Sequence, residues 1–523
     1  MEIVEVLLAL MAACVVLAVL ARLAGVPYAV VLILGGIALC FIPGLPRITL
    51  DPDIALTFFL PPLLVGSAYR TDWRAFRRNL QPILLLALGC VAFTAFAIGA
   101  LARLLIPDIP WAAAIALGAI LAPPDAVAAS AVLQRLKLPP RLVTVLEGES
   151  LVNDASALVI YRFAVAAVAA GSVSPLDAAG SFLLVGLGGI AVGLASGWAA
   201  VWLILRLKDP LLEVTLTFLA AFASYLLAEA LGISGVLAAV TAGIMVGQAQ
   251  HRFTARTRQE ARSVWNFVEF VLTSLIFILI GLQLKDILTR LEGRGVWELI
   301  GLGVLVSLAL IASRFVWIFP AMWLPRQLRS VARHDPMPPA SIPNMIVLSW
   351  AGMRGVVSLA AAIALPAAFP ERDIIVFLAF CAILATLVVQ GTTLEWVIRR
   401  VGLNMPAHAN GIDMAEAKAR HAAATAALAA VQARAADVLY GPIAADLLPE
   451  FQDRANHLQR VTKGGGAAAA ERAARRAVRL EALAAAREAL RACQQDKDLP
   501  EEMLARLRQE YDYEENRLRQ AMG

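Results

Sequence analysis

The strongest constraint on this chain is the grouping of its apolar residues into runs of about twenty. A helix of that length crosses a hydrocarbon core of about 30 Å. The chain has 523 residues, of which 60% are hydrophobic, whereas a soluble domain is about half apolar. The residue alternation that marks membrane strands does not occur in these runs. The sequence therefore predicts an all-α polytopic membrane protein.

About thirteen apolar segments are expected, each a candidate membrane helix. Their approximate spans are 3–23, 27–46, 50–69, 80–106, 110–133, 141–171, 178–205, 211–231, 233–250, 263–284, 297–325, 341–369 and 373–398. The first span also fits a cleaved signal peptide, but Glu2 and Glu5 are atypical of the positively charged start of such a peptide. We therefore expect a retained first helix.

The basic residues of the loops predict the orientation. With the N-terminus outside, the inner loops hold seventeen Lys and Arg residues and the outer loops hold six. Cytoplasmic loops normally carry this excess. An odd number of helices then places the C-terminal tail in the cytoplasm.

The composition changes after Arg400, where the chain becomes rich in Ala, Arg and Glu and has no further apolar run of spanning length. Helical patterns follow at roughly 413–440, 444–462, 467–493 and 499–520, and Gly464-Gly465-Gly466 marks a flexible joint among them. The sequence thus predicts a transmembrane domain over residues 1–403 and a cytosolic helical domain over residues 404–523.

Two apolar spans are interrupted by helix-breaking residues beside a charge. A Pro-Pro pair precedes Asp125 in the fifth span, and two glycines flank Arg354 in the twelfth. Counted from the first and the eighth span, these occupy equivalent places, which points to a transport site built from an inverted repeat. The alternative is that Pro and Gly are simply common in membrane helices. The charge at both interruptions favours the transport site.

The sixth span carries a polar cluster within LEGESLVNDASALVIYRF, residues 146–163. Ser150 and Asp154 are four residues apart and share a helix face, which Asn153 adjoins, while Glu149 lies on a neighbouring stripe. Polar groups at membrane depth usually face an ion path, a cavity or a fixed partner. This helix therefore offers a hydroxyl, an amide and a carboxylate as a group of oxygens.

These oxygens suit a monovalent cation. Na⁺ is a hard ion that prefers oxygen ligands, and Asp154, Asp125 and Ser150 are the expected Na⁺ ligands, with Asn153 adding an amide oxygen. Burial disfavours the charged form of a carboxylate, so such a group can hold either a proton or a cation. The five histidines fall in loops or in the tail, so a proton path through the membrane must use carboxylates. Competition for one carboxylate, together with alternating access, is sufficient for exchange.

The remaining buried charges need partners. Glu149 and Arg354 are predicted to form an ion pair between two helices, with Arg314 and Arg162 as the other basic candidates. Arg162 could instead extend towards the membrane interface. Three glutamates lie near span ends or could pair helices, and they are not predicted site residues: Glu213, Glu229 and Glu269.

No cofactor and no nucleic-acid partner are expected, and the predicted surroundings are membrane lipid. The chain contains no GxxxxGK[ST], HExxH or GxSxG pattern, and its five cysteines show no metal or disulfide spacing. A transporter is predicted rather than an enzyme. K⁺/H⁺ exchange by the same residues stays open, as does a channel or sensor, although no filter or ring of charges is visible in the sequence.

Four motifs in order resemble those of the bacterial sodium–proton exchangers of the monovalent cation:proton antiporter family. They are LAPPDAVA at 121–128, EGESLVNDASAL at 147–158, SGVLAAVTAG at 234–243 and AGMRGVVSLA at 351–360. The resemblance covers about residues 1–400. It implies a homodimer of thirteen-helix protomers in the plasma membrane, in which two broken helices cross within a moving core. The implied activity is antiport of Na⁺, Li⁺ or K⁺ for H⁺ in pH homeostasis.

The resemblance also implies roles for single residues. Asp154 would bind the cation or the proton, Asp125 would be the second acid, and Ser150 a cation ligand. Asn153 is typical of electroneutral, one-for-one members. Glu149 and Arg354 would be the structural ion pair, and Arg314 a further basic residue of the core.

The chain departs from the family pattern at two places. Val65-Gly66 stands where many members have an acidic residue after LPPLL. Pro124 stands where some members have a threonine before the aspartate of the fifth span.

Overall fold

The computed structural model describes residues 2–43, 55–125, 138–170, 175–291, 295–333, 341–403, 409–435, 437, 440–462, 466–492 and 510–515. All regular structure in these ranges is helical. The chain divides into two compact units, Met1–Asn404 and Met405–Gly523.

The first unit contains sixteen helices of six or more residues in its described ranges. The first eight are α1 Glu2–Ala24, α2 Tyr28–Cys40, α3 Leu60–Arg70, α4 Trp73–Arg78, α5 Leu80–Leu105, α6 Trp111–Leu121, α7 Pro140–Ala170 and α8 Pro175–Leu207. The others are α9 Pro210–Ala230, α10 Gly235–Ala249, α11 Ala255–Leu282, α12 Leu284–Arg290, α13 Val296–Arg333, α14 Ile342–Trp350, α15 Val356–Ile363 and α16 Arg372–Arg400. Besides these, a π-helical turn at Ala55–Phe59 lies directly before α3, and a 3-10 turn at Gln250–Arg252 follows α10.

Every predicted apolar span contains at least one of these helices. Among the described residues, seven helices have the length and the apolar composition to cross a membrane: α5, α7, α8, α9, α11, α13 and α16. The total of thirteen crossings and the inverted repeat remain predictions.

Four helices begin at a side chain that caps their first turn. Asp72 accepts hydrogen bonds from backbone N–H groups of α4, Asp209 from α9, Ser234 from α10 and Thr254 from α11. The first N–H groups of a helix have no partner within the helix, and a side-chain oxygen satisfies them. These caps fix where the polar connections give way to apolar helices.

Both predicted interruptions coincide with the end of a helix. The α6 helix ends at Leu121, and residues 122–125 continue in a non-helical path. Proline at 123 and 124 removes two backbone donors, so the helical hydrogen-bond ladder cannot continue through these positions. In the twelfth span the break is complete, because α14 ends at Trp350 and α15 begins at Val356. The continuation after Asp125 lies outside the described residues.

The α5 helix contains a π-helical stretch, Leu85–Cys90, that joins it to two neighbours. Trp317 of α13 donates to the carbonyl of Leu85 (3.0 Å), and Ser156 of α7 donates to the carbonyl of Ala87 (2.5 Å). A π-helical turn displaces carbonyls from the regular ladder, and such turns are frequent near functional sites. Here it fixes α5 against the helix that carries the polar cluster.

The buried apolar side chains of the first unit form two clusters. The larger cluster includes Ile276 and Phe277 of α11 together with residues of α5, α6, α13, α14, α15 and α16. The smaller cluster includes Leu64 of α3 and Leu151 of α7 together with residues of α9 and α10. Both α7 and α11 contribute to each cluster, so they run along the boundary between the two.

The second unit contains helices α17 Ala409–Arg434, α18 Gly441–Thr462 and α19 Gly466–Ala492. The first two pack through a small apolar cluster that includes Leu428 and Phe451. Gly466 is the first residue of α19, whereas the rest of the predicted glycine joint lies outside the described residues. Of the predicted helix at 499–520, residues 510–515 are described and are helical.

Candidate functional site

The two helix breaks contact each other directly. We call residues 122–125 the acidic break and residues 351–355 the basic break. The backbone N–H of Asp125 donates to the carbonyl of Met353 at 2.7 Å. The guanidinium of Arg354 donates to the carbonyl of Leu121 at 2.8 Å and to that of Ala122 at 3.4 Å. Residues that are more than two hundred positions apart in the sequence thus form one unit.

Arg354 is fully buried, and carbonyl groups accept its hydrogen bonds. Besides the two contacts to the acidic break, it donates to the carbonyl of Gly352, and its backbone N–H donates to Thr386 Oγ1 of α16 at 3.0 Å. The last carbonyls of a helix have no partner within the helix, and a cation near them is favourable. Arg354 therefore stabilises the end of α6 at the point where the helix stops.

Glu149 pairs with Arg314 and not with Arg354, which corrects the predicted ion pair. Arg314 Nη1 lies 2.7 Å from Glu149 Oε1 and Nη2 lies 3.1 Å from Oε2, and each side chain is 1% exposed. Arg314 Nη2 also donates to the carbonyl of Leu348 near the end of α14, at 3.0 Å. Glu149 thus connects α7 with α13, while the guanidinium of Arg354 is directed at backbone carbonyls. Arg314 was predicted to be a basic residue of the core, and it is the basic member of this buried pair.

The two glycines of the basic break make room for neighbouring charged side chains. A Cβ atom on Gly355 would lie 2.5 Å from Cγ of Asp125, and one on Gly352 would lie 2.5 Å from Nε of Arg314. Both distances are far below van der Waals contact, so an added Cβ at either position would displace the side chain beside it. Gly355 also precedes α15, so the Asp125 carboxylate lies near the N-terminal end of a helix, where negative charge is favoured.

Asn153 is buried and is directed at the backbone of the acidic break. Its Nδ2 donates to the carbonyl of Pro124 at 2.9 Å. This carbonyl lies just beyond the end of α6, and the amide of Asn153 supplies it with a donor. The structure thus gives Asn153 an anchoring contact, while its predicted part in binding stays a prediction.

The predicted acids and Ser150 line one cavity of about 60 Å³. One water needs about 10–15 Å³ of such volume, so the cavity has room for a few waters or a partly hydrated ion. Asp154 is 8% exposed. The wall comprises Leu60, Leu63, Leu64, Ser67, Pro123, Pro124, Asp125, Ser150, Leu151, Asp154, Thr273, Ile276, Phe277, Gly355, Val356, Val357 and Ser358. Side chains of both apolar clusters contribute to it, so the cavity lies at their boundary.

Three hydroxyls in this wall were not singled out by sequence pattern: Ser67, Thr273 and Ser358. Ser358 of α15 lies four residues after Arg354. That short distance from the basic break is the one sequence signal that could have identified Ser358 as a residue of the cavity wall. Thr273 and Ser67 lie in ordinary apolar stretches, where a single hydroxyl carries no information about its surroundings.

Two of the partly exposed ion pairs elsewhere in the described part of the first unit join different helices. Arg162 of α7 contacts Glu229 of α9 at 2.7 Å, and Arg70 of α3 contacts Glu269 of α11 at 2.7 Å. Glu229 and Glu269 thus pair helices, in agreement with their exclusion from the predicted site. Neither is among the residues that line the cavity.

Two touching helix breaks beside a cavity with two carboxylates are typical of a secondary transporter, in which discontinuous helices form the substrate site. The family described as "Sodium/hydrogen exchanger, transmembrane" matches residues 7–400 of the chain. The chain therefore belongs to the sodium/hydrogen exchanger family, which is a transporter family and not a family of enzymes.

Individual proteins agree with this placement. The chain is 36% identical to an uncharacterised Na⁺/H⁺ exchanger of Mycobacterium tuberculosis, over 80% of this chain and 78% of the relative. It is 35% identical to a sodium, potassium, lithium and rubidium/H⁺ antiporter of Bacillus subtilis, over 69% of this chain and 56% of that protein. The fold matches a solved sodium proton antiporter of Methanocaldococcus jannaschii with a TM-score of 0.59 and 20% identity, covering 77% of this chain and all of that structure.

Proposed function

We propose that this chain is a secondary antiporter that exchanges Na⁺ for H⁺ across the bacterial plasma membrane. Family membership supports cation/proton exchange in general. The observation that carries the specific proposal is that Asp125, Asp154 and Ser150, from two separate segments, line one cavity beside the helix breaks. Carboxylate and hydroxyl oxygens are the ligands that a hard cation prefers.

In this proposal the cation and the proton compete for Asp154. A buried carboxylate is unfavourable as an isolated charge, and either a proton or a cation relieves that cost. Among the residues that the structure describes, no basic side chain lines the cavity with Asp154. The buried arginines Arg314 and Arg354 contact Glu149 and backbone carbonyls instead. An arginine that paired with Asp154 would neutralise the carboxylate permanently. The described geometry leaves neutralisation to the exchanged ions.

Alternating access requires two groups of helices that move against each other about the site. The position of the cavity supports this step, because its wall combines Ile276 and Phe277 of the larger cluster with Leu64 and Leu151 of the smaller one. Sliding of one cluster past the other would expose the carboxylates first to one side of the membrane and then to the other.

Exchange is proposed to be electroneutral, with one cation for one proton. One competing carboxylate, Asp154, holds one ion of either kind, and no lysine occurs in spans five, six or twelve. Moving one net charge across 100 mV is worth about 2.3 kcal/mol, so an electrogenic cycle must respond to voltage. In proteoliposomes with a clamped potential, we expect the Na⁺/H⁺ balance point to stay constant; a voltage-dependent balance point would contradict the stoichiometry.

The transported cation is tested by proton flux in proteoliposomes that are given Na⁺, Li⁺ or K⁺ in turn. We expect coupled counterflow with Na⁺. K⁺/H⁺ exchange is the alternative with a specific observation behind it, since the Bacillus relative is described as acting on potassium and rubidium as well. Conductance without proton counterflow would indicate a channel and would contradict the proposal.

The proposed exchanger also has a predicted oligomeric state, orientation and cytoplasmic unit. We infer a homodimer surrounded by lipid, with the N-terminus outside and the C-terminal unit in the cytoplasm, that needs no cofactor and serves pH homeostasis. The described residues that line the cavity all fall between Leu60 and Ser358. Truncation after Asn404 should therefore preserve exchange and change its rate or pH dependence, and loss of exchange in a truncated protein that inserts normally would contradict this division.

A further inference from the structure

Buried hydroxyls on the helices of this chain commonly donate to a carbonyl one turn earlier. Thr217 donates to Val214 (2.7 Å), Ser307 to Gly303 (2.7 Å) and Ser349 to Met345 (2.8 Å). This is the usual way in which serine and threonine satisfy their polar group inside a helix. A hydroxyl of this kind is engaged with its own helix and needs no other partner.

Thr273 of α11 and Ser358 of α15 do not follow this pattern. Thr273 is 2% exposed and Ser358 is 1% exposed, and neither side-chain oxygen has a hydrogen-bond partner within the described part of the chain. A buried polar group without a partner costs about 1–3 kcal/mol, so such groups call for an explanation. Both residues line the cavity that contains Asp125 and Asp154.

A neighbouring residue shows that lack of a partner is not by itself evidence for binding. Ser274 is fully buried, and its hydroxyl also has no partner among the described residues, but it is not part of the cavity wall. Thr273 and Ser274 are consecutive on α11, so their side chains lie on different faces of the helix. What distinguishes Thr273 and Ser358 is that they combine an unpartnered hydroxyl with the wall of the cavity.

The chemistry of the cavity suits such oxygens. Asp125 and Asp154 supply negative charge from one side, and Ser150 supplies a hydroxyl on the same face of α7. A hard cation that has left water needs several oxygen ligands at once. Neutral hydroxyls from α11 and α15 would add ligands without adding charge, so they would change the affinity for the cation and leave the charge balance of the cycle unaltered.

We propose that the hydroxyls of Thr273 and Ser358 are ligands for the transported cation or for its bound water, and that they set its affinity and selectivity. This inference rests on the proposed cation/proton exchange at Asp154. It predicts a division of labour in which the carboxylates determine whether exchange occurs, and the two hydroxyls determine how strongly each cation is preferred.

The test compares Thr273→Val, Ser358→Ala and Thr273→Ser with the control Ser274→Ala in proteoliposomes. Loss of one neutral ligand should raise the apparent KM for Na⁺ on the order of fivefold, while the rate at saturating Na⁺ is preserved. The ratio of apparent KM values for Na⁺, Li⁺ and K⁺ should change as well. Thr273→Ser, which keeps the hydroxyl, should retain the wild-type KM values. The control Ser274→Ala should also have the KM values of the wild type.

The outcomes separate this inference from the proposed function. A wild-type protein that exchanges no cation would overturn both. A wild-type protein that exchanges normally, together with unchanged KM values in Thr273→Val and Ser358→Ala, would overturn the hydroxyl ligands alone. An equal effect of Ser274→Ala would show that the changes reflect packing, which also overturns the inference. If Thr273→Val does not fold, Ser358→Ala decides the result by the same criteria.

Discussion

The acidic break and the basic break carry charges of opposite sign, and they are built differently. Asp125 in the acidic break is partly exposed and lines the cavity. Arg354 in the basic break is fully buried, and its guanidinium donates to carbonyls of both breaks. A charge at an interrupted membrane helix can therefore have either of two functions. Asp125 lines the cavity in which we propose that the cation binds, whereas Arg354 donates to the backbone of both breaks.

The two buried arginines near the breaks are satisfied by groups outside the proposed ion site. Glu149 satisfies Arg314 at 2.7 Å, and carbonyls satisfy Arg354. Each of these two buried arginines thus has a partner of its own, Glu149 for Arg314 and backbone carbonyls for Arg354. If their partners were removed, we would expect the guanidinium groups to turn towards Asp125 or Asp154. We therefore expect substitution of Arg354 in the basic break to lower stability first, and substitution of Asp125 in the acidic break to lower transport first.

The largest effect is expected for Arg354→Ala. Three carbonyls would lose a donor, each at a cost of about 1–3 kcal/mol, so most of the protein should fail to fold or should unfold on detergent extraction. Asp125→Asn should fold normally and lose transport. Size-exclusion profiles and thermal unfolding, combined with flux per folded molecule, measure both quantities. The control is Arg162→Ala, which removes a partly exposed pair worth about 0–1 kcal/mol. A stable Arg354→Ala protein with normal unfolding would contradict the supporting role.

An intermediate effect is expected for the glycines of the basic break. Overpacking a close contact costs about 1–3 kcal/mol. Gly355→Ala should push the Asp125 carboxylate out of position and lower cation affinity, whereas Gly352→Ala should disturb Arg314 and lower stability first. The matched control is Gly301→Ala on α13, where an added Cβ meets nothing within 4 Å. Equal effects of Gly355→Ala and Gly352→Ala on cation affinity would remove the proposed difference between their neighbours.

The smallest effect is expected for the two polar anchors of the breaks. Asn153 donates to the carbonyl of Pro124, and Thr386 accepts from the N–H of Arg354. Loss of one such hydrogen bond should cost about 1 kcal/mol. Asn153→Ala should also raise the apparent KM for Na⁺, because the acidic break forms part of the cavity, whereas Thr386→Val should lower only the unfolding temperature. A KM effect of equal size in Thr386→Val would indicate that the two breaks are coupled.

Part of this arrangement could be predicted from the sequence because it depends on local pattern. The Pro-Pro pair and the paired glycines marked both interruptions, and four-residue spacing placed Ser150 and Asp154 on one face of a helix, as the cavity wall confirms. These features follow from backbone chemistry and helical periodicity, which a sequence displays directly.

The partner of Glu149 could not be predicted in the same way. Hydropathy gives the depth of a residue along its helix, and Arg314 and Arg354 both lie in the interior of their spans. Which of them reaches Glu149 depends on the rotation of three helices and on the competing carbonyls at the end of α6. The hydroxyl of Thr273 is hidden for a similar reason, because its neighbour Ser274 looks the same in sequence but lies outside the cavity wall.

The proposed exchange depends on competition between the cation and the proton for Asp154. The most direct measurement is Na⁺-driven proton flux in proteoliposomes that contain equal amounts of folded wild-type or Asp154→Asn protein. An amide cannot take up and release a proton near neutral pH, so we expect coupled flux in the wild type and none in the variant, in either direction and at every pH tested. Coupled Na⁺/H⁺ exchange by a folded Asp154→Asn protein would contradict competition of the two ions for Asp154.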